Sequence, residues 1–162
     1  MSTGRVWKYG DDVNTDVIFP GRHTYALMTP EEMAGHAMED LDPEFAKAVK
    51  PGDVVVAGKN FGCGSSREQA AACLRAAGVK AVVAKSFARI YFRNAINLGL
   101  AVLQCEEAAD VLSSGDPVDV DFSAGTITSG ARVFKFFPLP ESVIGIVQAG
   151  GLIEYTKKKL GL

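Results

Sequence analysis

Short β-branched apolar runs alternate with segments of helical composition along this chain, and residues 53–86 show the pattern most clearly. Residues 53–57 (DVVVA) are apolar enough for a strand buried on both faces, and residues 79–86 (VKAVVAKS) read as a second. Between them, residues 66–77 are rich in Ala, Leu, Arg, Glu and Gln, all good helix formers, and Gly78 stops that run. Strand, loop, helix and strand in this order build a parallel sheet. Upstream, residues 4–9 (GRVWKY) predict a first strand, followed by a polar turn at 10–16 (GDDVNTD) and a loop at 17–28 that is strongly apolar for a segment without regular structure. Thr29 then caps a helix with Pro30 in its first turn and Glu31 and Glu32 at its positive end, fading near Glu39. Residues 43–49 add a further turn or two. Phe87, Ile90, Tyr91, Ala95 and Leu98 recur at helical spacing up to Gly99. Residues 117–136 alternate apolar and polar positions around SAGT and TSGA turns, as an antiparallel meander does, and short helices at 141–149 and 151–159 close the chain. The expectation is one α/β domain over residues 1–162, a mixed sheet with flanking helices.

Composition narrows the function classes. At 162 residues with 48% hydrophobic content, the chain can bury one real core and is too short for two. A formal charge of -2 gives no basic field for nucleic acid, and no apolar run approaches the roughly 20 residues of a membrane span. The opening MSTGRVWKYG lacks the apolar core of a secretory signal, so a cytoplasmic protein is expected. Cys63, Cys73 and Cys105 form neither an even disulfide set nor a CxxC pair. The expectation is a reducing compartment and no metal or cofactor site built by this chain alone.

The densest chemistry lies in residues 58–68, GKNFGCGSSRE. Gly62 and Gly64 permit backbone angles that other residues resist, and Ser65 or Ser66 can cap the amides of the following helix. Polar groups at such a strand-to-helix turn face a crevice that favours anions. An arginine in the first turn works against the helix dipole, so Arg67 needs another reason to be there, and carboxylate binding is one. Cys63 reads as a small turn residue rather than a nucleophile. Asp16 either caps a turn or orients Arg67. His36 falls on an amphipathic helix and reads as structural, whereas His23 sits beside the apolar loop, open to a polar substrate contact. Lys85, Arg89 and Arg93 face either solvent or a partner.

Three segments in order, residues 11–23 (DDVNTDVIFPGRH), 58–68 (GKNFGCGSSRE) and 85–100 (KSFARIYFRNAINLGL), resemble the small subunits of 3-isopropylmalate dehydratase, equivalent to the swivel domain of aconitase. That resemblance implies a β/β/α swivel domain and a hydro-lyase of leucine biosynthesis that moves a hydroxyl between adjacent carbons by dehydration and rehydration. It implies Ser65 as the base that removes a proton from carbon, with Ser66 and Arg67 holding substrate carboxylate, and Thr15, Asp16, Gly62 and Gly64 in support. It places a four-iron four-sulfur cluster on a separate large subunit, joined in a heterodimer or heterotetramer; self-association of the small subunit in isolation stays open. The loop after TDVI is associated with selectivity, and Tyr25, Ala26, Leu27 and Met28 offer apolar surface where an unpaired carboxylate would be costly to bury. An alkylmalate is therefore expected, either isopropylmalate or 2,3-dimethylmalate, with Arg22 the cation that would admit homoaconitate if it turned inward. A non-catalytic anion-binding module is the alternative outside enzymes. One departure stands out: Gln69 occupies a position where members of the family commonly carry histidine, and it is expected to tune packing or subunit contact.

Overall fold

The computed structural model describes residues 3–162. The chain runs β1 (Gly4–Lys8), α1 (Thr15–Ile18), a 3₁₀ turn (Gly21–His23), α2 (Pro30–Gly35), α3 (Pro43–Ala48), β2 (Val54–Ala57), α4 (Gln69–Ala76), β3 (Ala81–Ala84), α5 (Arg89–Asn97), β4 (Ala101–Gln104) and α6 (Glu106–Val111). It continues through β5 (Pro117–Asp121), β6 (Thr126–Ser129), β7 (Arg132–Lys135), α7 (Glu141–Ala149) and α8 (Leu152–Lys159). The strands form one seven-stranded sheet in the order β4-β3-β2-β1-β5-β6-β7. Its first four strands are parallel, and β5 returns antiparallel to β1 to begin the meander. The mixed α/β architecture expected from the alternating runs is the one observed.

Alternation along the strands divides the interior in two, since successive side chains of a strand point to opposite faces. Val55, Ala57, Val82 and Val102 pack beneath the helices with Phe45, Leu74 and Tyr91. Val54, Val56, Val83 and Leu103 pack on the other face against α6 and the meander residues Val118, Ile127 and Phe134. At the amino-terminal edge, the buried Asp53 carboxylate accepts hydrogen bonds from the Arg5 amide, the Trp7 indole and the Lys50 amide, each at 3.0 Å. Burial pushes its pKa up, but those three donors and the Arg5 charge outweigh it and hold the group below the usual carboxylate value.

Several boundaries depart from the sequence reading. Thr29 and Glu32 form a reciprocal capping box at the start of α2, as Thr29 and its acidic first turn suggested, but α2 ends at Gly35 instead of near Glu39. The chain turns there because Met38 adopts a positive φ of 61° and its amide reaches the Ile18 carbonyl at 2.8 Å. Helix α4 begins at Gln69, three residues later than its composition predicts, so neither Ser65 nor Ser66 caps it. The sequence reading did not anticipate the single-turn α1, the edge strand β4 or α6.

Candidate active site

Loops at the carboxyl ends of β1, β2 and β3 meet at one edge of the sheet, and they carry the three segments singled out above. The Thr15 amide donates to the Cys63 carbonyl and the Gly62 amide to the Val13 carbonyl, both at 2.8 Å. The Phe61 amide donates to the Ser86 carbonyl at 3.1 Å, and the Ala88 amide returns to the Phe61 carbonyl at 2.9 Å. Ligands of open parallel sheets bind outside such strand ends. Gly62 is required for two reasons: its φ is +84°, and a Cβ there would lie 2.2 Å from the Tyr91 ring. Tyr91 in turn donates to the Ala70 carbonyl at 3.0 Å, tying the turn to both α4 and α5.

Residues 65–67 follow this turn without regular secondary structure, and Ser65 is exposed at its rim. The Arg67 Nε–H donates to Ser65 Oγ at 2.9 Å, while Thr15 Oγ1, on a buried residue, lies 3.0 Å from the same oxygen. Arg67 also donates to Thr24 Oγ1 at 2.8 Å, to the Phe19 carbonyl at 3.2 Å and to the Asp16 carboxylate. Four of the five guanidinium N–H groups are thus taken by this chain's own atoms. One N–H of Arg67 remains free of these partners, and its Nε–H is aimed at Ser65. Its side chain is only 14% exposed, whereas that of Asp16 is 70% exposed. Ser66 is exposed beside Ser65, its carbonyl held by Asn94 Nδ2 at 3.1 Å. Thr24 and Asn94 went unnoticed in the sequence, where nothing in their spacing sets them apart.

The neighbouring loop has a different character. Tyr25 and Leu27 are fully exposed, and Met28 packs partly against the helix-side core. Gln69 Nε2 donates to the Thr24 carbonyl at 3.2 Å, fastening the loop's first residue to α4. Arg22 turns away from the crevice to pair with Glu39 and Asp40. His23 also faces that side, placing Nε2 3.2 Å from Glu39. His36 lies past the end of α2 rather than on its face, its ring 4.1 Å from that of His23. Lys85 Nζ pairs with Asp110 at 2.6 Å, and Arg89 and Arg93 lie exposed on α5.

The aconitase C-terminal domain family matches residues 23–108. A 3-isopropylmalate dehydratase small subunit of Heliobacterium modesticaldum is 52% identical over 161 residues, covering 98% of this chain and 96% of that one. Small subunit 1 of the same enzyme from Archaeoglobus fulgidus is 53% identical over 157 residues, covering 95% and 96%. The chain belongs to the 3-isopropylmalate dehydratase small-subunit family. The fold agrees: a crystal structure of 3-isopropylmalate dehydratase from Methanocaldococcus jannaschii superposes with a TM-score of 0.90 at 45% identity, covering 98% of this chain and 94% of that one.

An iron-sulfur cluster needs thiolates converging on one hollow, and the thiols of this small-subunit family member do not converge. Cys63 sits in the turn before α4, whereas Cys73 is buried in the helix-side core and donates to the Ile18 and Ala70 carbonyls at 3.6 and 3.7 Å. Cys105 lies in the opposite core and donates to the Lys135 carbonyl at 3.5 Å. Burial pushes both buried thiols above their usual pKa, against the thiolate form that a cluster requires. These residues do not fit such a group. Among the described residues, no helix is long and apolar enough to cross a membrane.

Proposed function

We propose that this chain is the small subunit of a two-chain cytoplasmic 3-isopropylmalate dehydratase, in which Ser65 is the base that takes the proton from substrate carbon. The observation that carries the proposal is an exposed serine oxygen that already receives a guanidinium N–H at 2.9 Å and has a buried threonine hydroxyl 3.0 Å away. Serine is a very weak acid, so an alkoxide needs its charge stabilised before it can act near neutral pH. A hydrogen bond from a charged donor is worth roughly 1.5–3 kcal/mol, or about one to two pKa units at ~1.36 kcal/mol each. Thr15 can add a second donor once Ser65 has lost its own proton. The two together still fall short, and the remainder requires a dry, closed site with further positive charge, which one exposed rim does not provide.

A large subunit closes that gap in this reading. An iron-sulfur cluster held by that subunit would supply Lewis-acid chemistry at the substrate hydroxyl. This chain's residues do the rest of what is local to them. Ser65 Oγ accepts the proton from the carbon next to the one bearing the hydroxyl, leaving a carbon–carbon double bond, and returns a proton when water adds back at the other carbon. Ser66 and the one free N–H of Arg67 meet a substrate carboxylate, Asp16 keeps the guanidinium in plane with Ser65, and Tyr25, Leu27 and Met28 contact the alkyl group. Because Arg22 is held by Glu39 and Asp40, it does not await the extra carboxylate of homoaconitate. The test is anaerobic reconstitution with the large-subunit gene product and iron, followed by turnover trials. Isopropylmalate should be the best substrate, ahead of 2,3-dimethylmalate, with homoaconitate and citrate poor; preference for homoaconitate, or tight anion binding by the small subunit with no turnover by any pairing, would refute the reading.

A further inference from the structure

We propose that His23, His36 and Glu39 form a binding site for a divalent transition-metal ion, which clamps the 3₁₀ turn preceding the loop that carries Tyr25, Leu27 and Met28 to the segment that follows α2. The metal-ligating atoms of the three side chains lie within 4.8 Å of one another. His23 Nε2 is 3.2 Å from Glu39 Oε1, and His36 Nδ1 is 2.8 Å from Glu39 Oε2, so one nitrogen of each ring faces the same carboxylate. Each partner comes from a different place. His23 ends the 3₁₀ turn before the loop, His36 follows α2 after it, and Glu39 lies just beyond the Met38 reversal. The His23 ring is wedged between Phe19 at 6.0 Å and His36 at 4.1 Å, which fixes the direction of its nitrogens. All three side chains are 20–34% exposed, enough for an ion to enter and keep water in its remaining positions.

Donor chemistry selects the ion. Two imidazoles and one carboxylate suit first-row divalent metals rather than magnesium or calcium, which prefer an all-oxygen shell. With metal–nitrogen bonds of about 2.0–2.1 Å, two imidazole rings on a tetrahedral ion would have centroids ~5 Å apart, and rings at right angles across the ion ~4.5 Å. At 4.1 Å the metal-free rings sit closer than in either arrangement and part slightly to admit the ion; nickel, cobalt, iron(II) and zinc all suit this donor set. One group competes: Arg22 also holds Glu39, but it is 57% exposed and retains Asp40 as a partner, so it can yield Glu39 to the metal.

The site does not depend on the activity proposed above, and its test reads binding rather than turnover. The untagged full-length chain, stripped with chelator, is titrated with Zn²⁺, Ni²⁺ and Co²⁺ by calorimetry, and the Co²⁺ complex is read by absorption. One ion should bind per chain, with no thiolate-to-cobalt charge-transfer band. His36→Ala should weaken binding by about 100-fold or more, as losing a ligand exceeds the ~10–100-fold effect of losing a residue that merely orients one. His23→Phe should do the same while keeping the ring packing on Phe19, which separates loss of a ligand from loss of the fold. Arg22→Gln should bind at least as tightly as the parent, and Cys63→Ala should bind unchanged. Absence of stoichiometric binding, full binding by His23→Phe, or loss of binding in Cys63→Ala would overturn the assignment.

Discussion

The Ser65 rim and the loop at residues 24–28 are neighbours, joined through Thr24, yet one is fastened throughout and the other is bare. Around Ser65, Arg67 is pinned by donors to Thr24, Asp16 and Phe19, and Thr15 is buried behind it. In the loop, Tyr25 is 97% exposed and Leu27 102% exposed, with few internal bonds beyond Ala26 to the His23 carbonyl at 3.1 Å. The two regions therefore stand at different stages of preparation. Proton transfer demands a preorganised oxygen, because reorganising dipoles during the reaction wastes the stabilisation they offer. Alkyl recognition demands only that apolar area leave water, worth about 25 cal/mol per Å², and a partner can supply the second wall on docking. The Ser65 hydroxyl is held in place by this chain's own groups, whereas Tyr25 and Leu27 stay uncovered.

That contrast can be broken at either region. Ser65→Ala in the reconstituted enzyme should lower kcat by about 10²–10⁴-fold, the usual worth of a positioned general base, with assembly intact by size-exclusion chromatography. Arg67→Lys keeps the charge but loses the fork, and kcat should fall by about 10²–10³-fold, as for a lost oxyanion donor; a change confined to KM would show that Arg67 serves substrate binding alone. Leu27→Arg should lower kcat/KM for isopropylmalate by roughly 10–200-fold, in line with the ~1–3 kcal/mol such pockets discriminate, while melting temperature stays constant because the side chain touches solvent. Thr15→Val, close in shape, should cost about tenfold in kcat, the value of one net hydrogen bond near ~1.4 kcal/mol.

The opposite end of the sheet gives the smallest effect on activity and a clear one on stability. The folded pKa of Asp53 is depressed, so its contribution is fully present above the unfolded value of about 4 and is lost as pH falls through the lower folded value. Asp53→Asn should reduce stability by about 1–3 kcal/mol at neutral pH, flatten the acid limb of the stability profile and leave kcat unchanged. Denaturant melts from pH 7 down to pH 3 would check the sign; a variant that matches the parent at neutral pH would show that the three donors to Asp53 contribute nothing net.

Much of this was legible in the sequence where the signal is local. The valine runs at 54–56 and 82–83 mark buried strands, and Thr29 with Glu32 marks a helix start, because periodicity and capping act within a few residues. The glycines around Cys63 likewise announced a special turn. The start of α4 was not legible, since residues 65–67 lie outside any helix and the Arg67 guanidinium bonds to Asp16, 51 residues away. For the same reason the sequence does not show that four of the five Arg67 donors are occupied at home. The meeting of Glu39 with the two histidines follows the chain reversal at Met38, a non-glycine residue in a left-handed conformation that no composition rule predicts.

The most direct test of Ser65 as the base follows hydrogen rather than product. Reconstituted enzyme in deuterated water, given 3-isopropylmalate, should exchange the hydrogen on the carbon beside the hydroxyl-bearing one, read by NMR of recovered substrate. With Ser65→Ala in an assembled complex that still binds substrate, that exchange should stop. Exchange continuing at the parent rate would show that another group removes the proton and would contradict the account.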